Sequence, residues 1–194
     1  MIAREELNGI IIAGGQSTRM GSDKGLMSFR GQALVSYSIN ILKAYCSDII
    51  ICTNNDEYHG FGYTLCGDNY PGIGPLGGLE AGLKKSSYMH HLVLPCDVPF
   101  INSIFLESLL TNVKNCNAVV PVHSNGMAEP LCAYYHSGVY KTIHNQIKNK
   151  DYKMQHFIRQ VNACYLDMDK TSKRIDPAIF RNFNHPDDLI QQMG

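Results

Sequence analysis

The chain has 194 residues, a hydrophobic fraction of 44%, a charged fraction of 18% and a formal net charge of zero. This length supports one domain with a substantial core and is short for two. A neutral chain provides no electrostatic basis for binding nucleic acid or an anionic membrane surface in bulk, so an anionic ligand must be held by a local cluster of charge.

Short β-branched runs alternate along the chain with segments of helical period. The predicted strands span residues 9–13, 48–53, 63–66, 91–94, 118–122, 131–135 and 163–166. The predicted helices span residues 34–45, 79–85, 103–113, 139–148, 153–161 and 186–192. This alternation predicts an α/β fold, in which a single domain over residues 1–194 contains a mostly parallel, Rossmann-like sheet with helices on both faces. Such sheets bind ligands beyond the carboxyl ends of their strands, so the loops after Ala13, Thr53 and Pro95 form the predicted site.

The loop after the first predicted strand has the composition of a phosphate-binding segment. Residues 12–24 read I-A-G-G-Q-S-T-R-M-G-S-D-K. The adjacent Gly14 and Gly15 allow backbone N–H groups to approach a phosphate closely, while Arg19 and Lys24 can neutralise its oxygens. The spacing is not that of a Walker A loop, since Lys24 precedes a glycine rather than Ser or Thr. The loop therefore predicts a bound nucleoside triphosphate; the alternative is a long surface turn with incidental charges.

Three other segments follow predicted strands. Asp97, within P-C-D-V-P-F at residues 95–100, is suited to hold a magnesium ion that bridges substrate phosphates, although a turn aspartate is the plainer alternative. Asn54 and Asp68 could hydrogen-bond a nucleotide, Asp68 by accepting from base or ribose, but asparagines at 54 and 55 are also ordinary turn formers.

Residues 72–77, G-I-G-P-L-G, formally satisfy G-x-G-x-x-G. No convincing strand precedes them, so the dinucleotide-binding interpretation fails its structural context. We instead expect a loop that packs close to a ligand before a helix at Gly78; the alternative is a flexible surface loop.

The cysteines and histidines argue against a zinc site and a disulfide framework. The seven cysteines are scattered, without C-x-x-C spacing, and indicate free thiols in a reducing compartment. His90 and His91 would face opposite ways on a strand, so no zinc site is predicted. Because the sequence also lacks a secretory signal at residues 1–7 and an apolar run of roughly 18 residues, we expect a soluble cytoplasmic protein with no nucleic-acid or membrane partner.

The segment at residues 12–24 resembles the L-A-G-G-x-S-x-R-M-G-x-D-K loop of the MobA-type nucleotidyltransferases, with Ile12 in place of leucine. Later motifs follow in that family's order: G-P-L-G-G at 74–78, P-C-D-V-P at 95–99, E-P-L at 129–131 and N-F-N at 182–184. That family transfers GMP from GTP to the phosphate of molybdopterin. The resemblance implies a nucleotide-diphospho-sugar transferase-like fold and a molybdenum cofactor guanylyltransferase. Its substrates would be GTP and molybdenum-molybdopterin, its cofactor Mg²⁺, and its protein contacts transient ones with cofactor delivery or insertion proteins.

The resemblance also implies roles for individual residues. Arg19, Lys24 and Asp97 would be catalytic, with Asp97 as the metal ligand. GTP contacts are implied for Ile12, Ala13, Gly14, Gly15, Lys24, Cys52, Asn54, Asp68, Gly74, Pro75, Leu76 and Asp97. The family's strand-end asparagine corresponds to Cys52, or to Asn54 or Asn55 as a substitute. Asn182 and Asn184 lie where the family has an N-x-N on the pterin side, and planar amides suit a pterin's donor and acceptor edge; two turn asparagines are the alternative.

Three other functions compete with this one. A cytidylyltransferase would use CTP, but residues 12–15 and 74–76 resemble the GTP-type loops. A sugar-phosphate nucleotidyltransferase would have an additional carboxy-terminal domain. A non-catalytic nucleotide-binding accessory protein would not need Arg19, Lys24 and Asp97 together.

Overall fold

The centre of the molecule is a seven-stranded sheet, seen in a computed structural model that describes residues 2–14, 23–171 and 175–181. The described strands are β1 (Leu7–Ile12), β2 (Ser28–Phe29), β3 (Gln32–Ala33), β4 (Asp48–Cys52), β5 (Thr64–Cys66), β6 (His90–Pro95), β7 (Ala118–Val122), β8 (Ala133–His136) and β9 (Ala163–Asp167). The sheet order is β5-β4-β1-β6-β8-β7-β9, while β2 and β3 pair separately as a hairpin.

The direction of the strands agrees with a mostly parallel sheet. β1 pairs in parallel with β4 and β6, β4 with β5, and β7 with β9. The exception in the described sheet is β8, which runs antiparallel to both β6 and β7. The carboxyl ends of β5, β4, β1 and β6 therefore lie side by side at one edge.

Helices cover both faces of this sheet. They are α1 (Leu34–Tyr45), α2 (Pro75–Lys85), α3 (Ser103–Thr111), α4 (Tyr140–Lys148), α5 (Met154–Gln160) and the short α6 (Met168–Thr171). Leu7 and Ile11 of β1 join the core with α1 and α3, whereas Ile10 and Ile12 join the core with α2, α4 and α5. Successive side chains of a strand point to opposite faces, and apolar residues on both sides are what a doubly covered strand requires. The predicted fold class is confirmed.

Several boundaries differ from the predicted ones because turn chemistry overrides the apolar pattern. β8 begins at Ala133 rather than residue 131, since the Cys132 N–H donates to the Glu129 carbonyl (3.1 Å) in a turn. The β2–β3 hairpin was not predicted; its turn uses Arg30 and Gly31, both with positive φ, as a two-residue type I′ turn requires. The predicted helix at 186–192 lies outside the described residues. Within the described ranges, no helix has the length and apolar character to cross a membrane.

Candidate active site

The loops predicted to form the site are aligned by hydrogen bonds that continue the sheet past its last paired residues. The Ala13 N–H donates to the Cys52 carbonyl (2.9 Å), and the Thr53 N–H donates to the Cys66 carbonyl (2.9 Å). On the other side of β1, the Cys96 N–H donates to the Ile12 carbonyl (3.1 Å). The loops after β5, β4, β1 and β6 are therefore held in one row.

A first cavity of about 580 Å³ lies between the ends of β1, β4 and β5 and the start of α2. Its walls bring together seven of the residues predicted to contact a nucleotide. These are Ile12, Gly14, Cys52, Asn54, Asp68, Gly74 and Pro75. Thr53, Gly72, Ile73 and Gly78 complete the lining.

The polar groups of this cavity are fixed by one another. The Asn54 side-chain oxygen accepts from the Asp68 N–H (3.0 Å), and one Asp68 carboxylate oxygen accepts from the Tyr70 N–H (2.8 Å). A Cβ on Gly77 would lie 2.5 Å from that carboxylate, so Asp68 packs directly against the first turn of α2. Burial raises the pKa of Asp68, and the charge of Glu80 raises it further, whereas the Tyr70 N–H lowers it.

The three candidates for the family's asparagine at the end of β4 have different surroundings in the structure; they are Cys52, Asn54 and Asn55. Cys52 is buried on β4 and lines the cavity, with Cys66 as its register partner on β5. A hydrogen bond from Cys52, with a contribution from the charge of Lys85, lowers the pKa of the Cys66 thiol to about 7. Asn54 ties the β5 loop in place, while the Asn55 amide faces the other way and donates to Asp23 (3.2 Å).

The segment before α2 differs from the prediction that a helix begins at Gly78. α2 begins at Pro75, whose ring fixes φ at the first helical position, and Gly74 precedes it with φ of 83°, which only glycine adopts readily. Leu76 was expected among the nucleotide contacts, but its side chain is fully buried in the core and lines neither described cavity. The Leu76 side chain thus packs α2 against the sheet.

A second cavity of about 360 Å³ adjoins the first, because Ile12, Gly14 and Pro75 line both. It extends from β1 across the end of β6 to the segment before β8. Its other lining residues are Ala13, Asp23, Lys24, Pro95, Cys96, Asp97, Val98, Glu129, Pro130, Leu131, Cys132, Met154 and Phe180.

Lys24 directly follows a partly buried cluster of hydrogen bonds on Asp23, here called the Asp23 node, which was not predicted from the sequence. One oxygen of Asp23 accepts from the Gly25 N–H (3.0 Å) and from the Tyr58 hydroxyl (2.6 Å), and its other oxygen accepts from Asn55 (3.2 Å). Tyr58 is fully buried, and a Cβ on Gly25 would collide with its hydroxyl. Asp23 was visible in the motif, but nothing near Tyr58 in the sequence indicates that its hydroxyl reaches this loop.

Asp97 lies at the end of β6 on a braced backbone. The Ser38 hydroxyl of α1 donates to the Pro95 carbonyl (2.7 Å). Burial raises the pKa of Asp97, whereas the positive charge of Lys24 lowers it. Lys24 and Asp97, both predicted to be catalytic, are thus within electrostatic reach of each other in the same cavity.

The far wall of the second cavity carries a polar pair. Glu129 lies 3.0 Å from the His123 ring nitrogen, and the Phe180 ring packs edge-on against His123 at a centroid distance of 5.4 Å. The motif containing Glu129 was recognised in the sequence without a role, and His123 was missed. The predicted residues Gly15, Arg19, Asn182 and Asn184 lie outside the described residues.

The described part of the chain contains no cluster of three or more His, Cys, Asp or Glu side chains arranged to hold a metal ion. All seven cysteines are described and none forms a disulfide. Three carboxylates line the second cavity. Asp23 accepts from Tyr58 and Glu129 contacts His123, whereas Asp97 has no such side-chain partner among the described residues. Asp97 is therefore the candidate cation ligand of the second cavity.

Known proteins resemble this chain in sequence and in fold. A family described as the MobA-like NTP transferase domain matches residues 9–164. The probable molybdenum cofactor guanylyltransferase of Methanothermobacter thermautotrophicus is 31% identical over an alignment 192 residues long, which covers 92% of this chain and 95% of that protein. The molybdenum cofactor guanylyltransferase of Vibrio atlanticus is 31% identical over an alignment 195 residues long, which covers 98% of this chain and 97% of that protein. The crystal structure of molybdopterin-guanine dinucleotide biosynthesis protein A from Archaeoglobus fulgidus aligns with a TM-score of 0.78 at 23% identity, covering 95% of each chain.

The sheet, its ligand edge and these matches define the class of the protein as a nucleotidyltransferase. Within that class, the chain belongs to the MobA-like NTP transferase family. The family resemblance seen in the sequence motifs is confirmed, as is the nucleotide-diphospho-sugar transferase-like fold.

Proposed function

We propose that this enzyme transfers GMP from GTP to the phosphate of molybdenum-molybdopterin, forming the guanine dinucleotide cofactor and pyrophosphate. The observation that carries the proposal is the pair of adjoining cavities, which share Ile12, Gly14 and Pro75. A transferase must hold a donor and an acceptor with their reacting atoms close together. The relatives named molybdenum cofactor guanylyltransferase, which match over nearly their whole length, supply the identity of the two substrates.

The first cavity suits the nucleoside of the donor. Asp68 presents an acceptor to base or ribose, and the shape of the cavity is fixed by its bonds to Asn54 and Tyr70. The glycine-rich segment from Gly14 would then receive the triphosphate near Lys24, since both residues line the second cavity. Arg19, five residues before Lys24 in the same loop, is proposed to share this role.

The chemical step is attack by an oxygen of the acceptor phosphate on the α-phosphorus of GTP, with pyrophosphate leaving. A phosphate monoester is already anionic near neutral pH, so the step needs no general base. The obstacle is the approach of two anions, and a fixed cation in a partly buried site is an effective way to reduce it. Lys24, held by the Asp23 node, supplies such a charge beside Asp97.

Magnesium is proposed as the cofactor, with Asp97 as its protein ligand. Mg²⁺ is usually held by one or two carboxylates together with substrate phosphates, and a single half-buried carboxylate fits that pattern. When bound, the ion would neutralise charge on the phosphates of the nucleotide. The chain's own contribution is the Ser38 hydrogen bond to the Pro95 carbonyl, which braces the backbone two residues before Asp97.

The second cavity suits the acceptor. Its wall combines apolar surface from Met154 and Phe180 with the Glu129–His123 pair. A pterin has an apolar face and a polar edge, so this mixture is appropriate to it. Asn182 and Asn184 remain proposed as further contacts to the pterin. The free thiols suit work in the cytoplasm, where transient contacts would pass the product to delivery or insertion proteins.

The test is a pyrophosphate-release assay with molybdenum-molybdopterin as acceptor, Mg²⁺ present, and GTP, CTP or ATP as donor. We expect turnover with GTP. Asp97→Asn and Lys24→Ala should each lower kcat/KM by roughly 10²-fold or more, since each removes charge stabilisation of the transferred group. Asp56→Asn serves as the matched control, because the Asp56 side chain is 99% exposed.

Each other outcome points to a different function. Turnover with CTP instead of GTP would make the enzyme a cytidylyltransferase. Nucleotide binding by calorimetry without turnover would indicate an accessory protein. Near-normal activity of Asp97→Asn would contradict the proposed role of Asp97.

A further inference from the structure

Glu80 of α2 is a buried carboxylate that the proposed chemistry does not use. It is fully buried, the only Asp, Glu, Lys or Arg within the described ranges to be so. Burying a carboxylate lowers the free energy of unfolding unless the carboxylate is well hydrogen-bonded, and removal of its partners leaves this desolvation penalty uncompensated. Its partners therefore identify what it holds in place.

The three partners of Glu80 come from two other parts of the chain. One carboxylate oxygen accepts from the Asn69 amide (3.0 Å). The other oxygen contacts the Tyr140 hydroxyl (3.1 Å) and the His144 ring Nδ1 (3.1 Å) of α4. Tyr140 and His144 also stack on each other at a centroid distance of 5.6 Å. Glu80 thus connects α4 to the loop between β5 and α2, residues 67–74.

This loop forms one wall of the first cavity. Asp68 precedes Asn69 directly, and the Tyr70 N–H donates to the Asp68 carboxylate (2.8 Å). The Tyr70 ring lies edge-on to His144 at 6.5 Å, so the loop is fastened at two successive residues. Asp68 itself packs on Gly77, which is one turn before Glu80 on α2. Movement of Asn69 or Tyr70 would therefore move the Asp68 carboxylate.

We propose that Glu80 is a positioning residue for the nucleotide: through Asn69, and through His144 against Tyr70, it holds Asp68 in the geometry that binds the nucleoside of the donor. This inference rests on the proposed function in naming GTP as the donor and in assigning Asp68 to its nucleoside. The hydrogen bonds of Glu80 to Asn69, Tyr140 and His144 are called the anchor here. Lys24 and Asp97 line the other cavity, so loss of the anchor should weaken nucleotide binding more than it slows the chemical step.

The test exchanges donor and acceptor across the Asn69–Glu80 bond. Asn69→Asp places a second carboxylate about 3 Å from Glu80 and should raise the KM and Kd for GTP roughly ten- to a hundredfold, with kcat changed by less than about threefold. The double variant Asn69→Asp with Glu80→Gln restores the pair, since the Gln amide can donate to the new carboxylate. Its KM and Kd should return to within about threefold of the parent values, a margin of about 0.65 kcal/mol.

Two further variants separate loss of the Glu80 hydrogen bonds from the effect of an added charge alone. Glu80→Leu removes all three bonds and should raise KM as Asn69→Asp does. Asn145→Asp adds the same charge at an exposed position on α4 and should leave KM unchanged. Asn69 is itself exposed, so Asn69→Asp and the exchange variant keep the test informative if Glu80→Leu fails to fold.

The inference is overturned if Asn69→Asp binds GTP as the parent does. It is also overturned if the exchange variant recovers thermal stability without recovering KM, because Glu80 would then act on the fold alone. Calorimetry with GTP reports on positioning without turnover. A protein that binds GTP through this anchor but does not transfer GMP would therefore contradict the proposed function and leave the inference intact.

Discussion

At the scale of single residues, the site depends on side chains that carry no chemistry themselves. Asp23 precedes Lys24 and accepts three hydrogen bonds, from Gly25, Tyr58 and Asn55. These bonds fix the backbone from which the Lys24 side chain extends. Ordering the backbone beforehand would reduce the entropy lost in the proposed contact of Lys24 with a phosphate.

Gly25→Ala tests this node. The added methyl group would collide with the Tyr58 hydroxyl and lie 3.0 Å from the Cys96 Cβ, so Tyr58 must withdraw from Asp23. We expect kcat/KM to fall at least about tenfold and the free energy of unfolding to fall by about 1–3 kcal/mol. Steady-state assays and urea denaturation measure the two effects. Gly60→Ala is the control, because a Cβ at Gly60 meets nothing within 4 Å. Equal behaviour of the two variants would show that the node does not position Lys24.

At the scale of elements, α2 is the piece that joins the fold to the site. Its first turn borders both cavities at Pro75, its middle carries Glu80, and its glycines allow it to lie close to β1 and β4. A Cβ on Gly82 would lie 2.8 Å from the Cys52 Sγ and 2.8 Å from the Ile10 Cγ2. Both of those atoms belong to buried strands that cannot easily move aside.

Two glycine-to-alanine changes on α2 should therefore have opposite effects. Gly82→Ala should lower the free energy of unfolding by about 1–2 kcal/mol, because overpacking outweighs the better helix propensity of alanine. Gly78→Ala meets Ile12 at 3.4 Å, an ordinary contact, and should leave stability unchanged or raise it by up to about 1 kcal/mol. Chemical denaturation of both proteins decides the matter. The close-packing account is wrong if the two variants are equally stable.

The elements themselves could largely be predicted, because short β-branched runs and helical periods are local signals. Their ends could not, since they depend on turns: Pro75 starts α2 before the apolar pattern begins, and the Cys132–Glu129 hydrogen bond delays β8. The reversed direction of β8 was also beyond the sequence, because a strand's apolar pattern does not record which way its partner runs.

At the scale of the whole molecule, local sequence signals again decide which parts of the candidate site could be predicted. Lys24, Asp97, Asp68 and Gly74 could be predicted because a strand end, a charge and a glycine mark a ligand loop in the sequence. Tyr58 and His123 could not, because neither lies in a motif: Tyr58 contacts Asp23 from a segment distant in sequence, and His123 contacts Glu129 only because the chain turns between them. Glu80 lies inside a helix of ordinary composition, and only the packing of α4 against α2 reveals its role.

The opposite end of the sheet, at the amino end of β6, carries a group of histidines away from the candidate site: His90, His91 and His136. His91, at the amino end of β6, is fully buried, with its ring nitrogens 3.2 Å from the Tyr135 carbonyl and 3.0 Å from the Ser86 hydroxyl. Burial lowers the pKa of His91 to about 4, with smaller contributions from the charges of His90 and His136, while the bond to Tyr135 opposes the shift. The neutral ring is therefore the form that the fold accepts.

This burial predicts a pH-dependent stability. An unfolded chain binds a proton at His91 near pH 6.5 and the folded chain only near pH 4, so between these values the unfolded state holds more protons. The stabilising contribution is complete above about pH 6.5 and is lost as the pH falls towards 4, by an amount on the order of 3 kcal/mol. Urea denaturation across this range should give a shallower pH dependence for His91→Gln than for the parent, whereas His59→Gln, at a side chain that is 69% exposed, should retain the parent slope. Parallel curves for His91→Gln and the parent protein would assign the acid sensitivity to other groups.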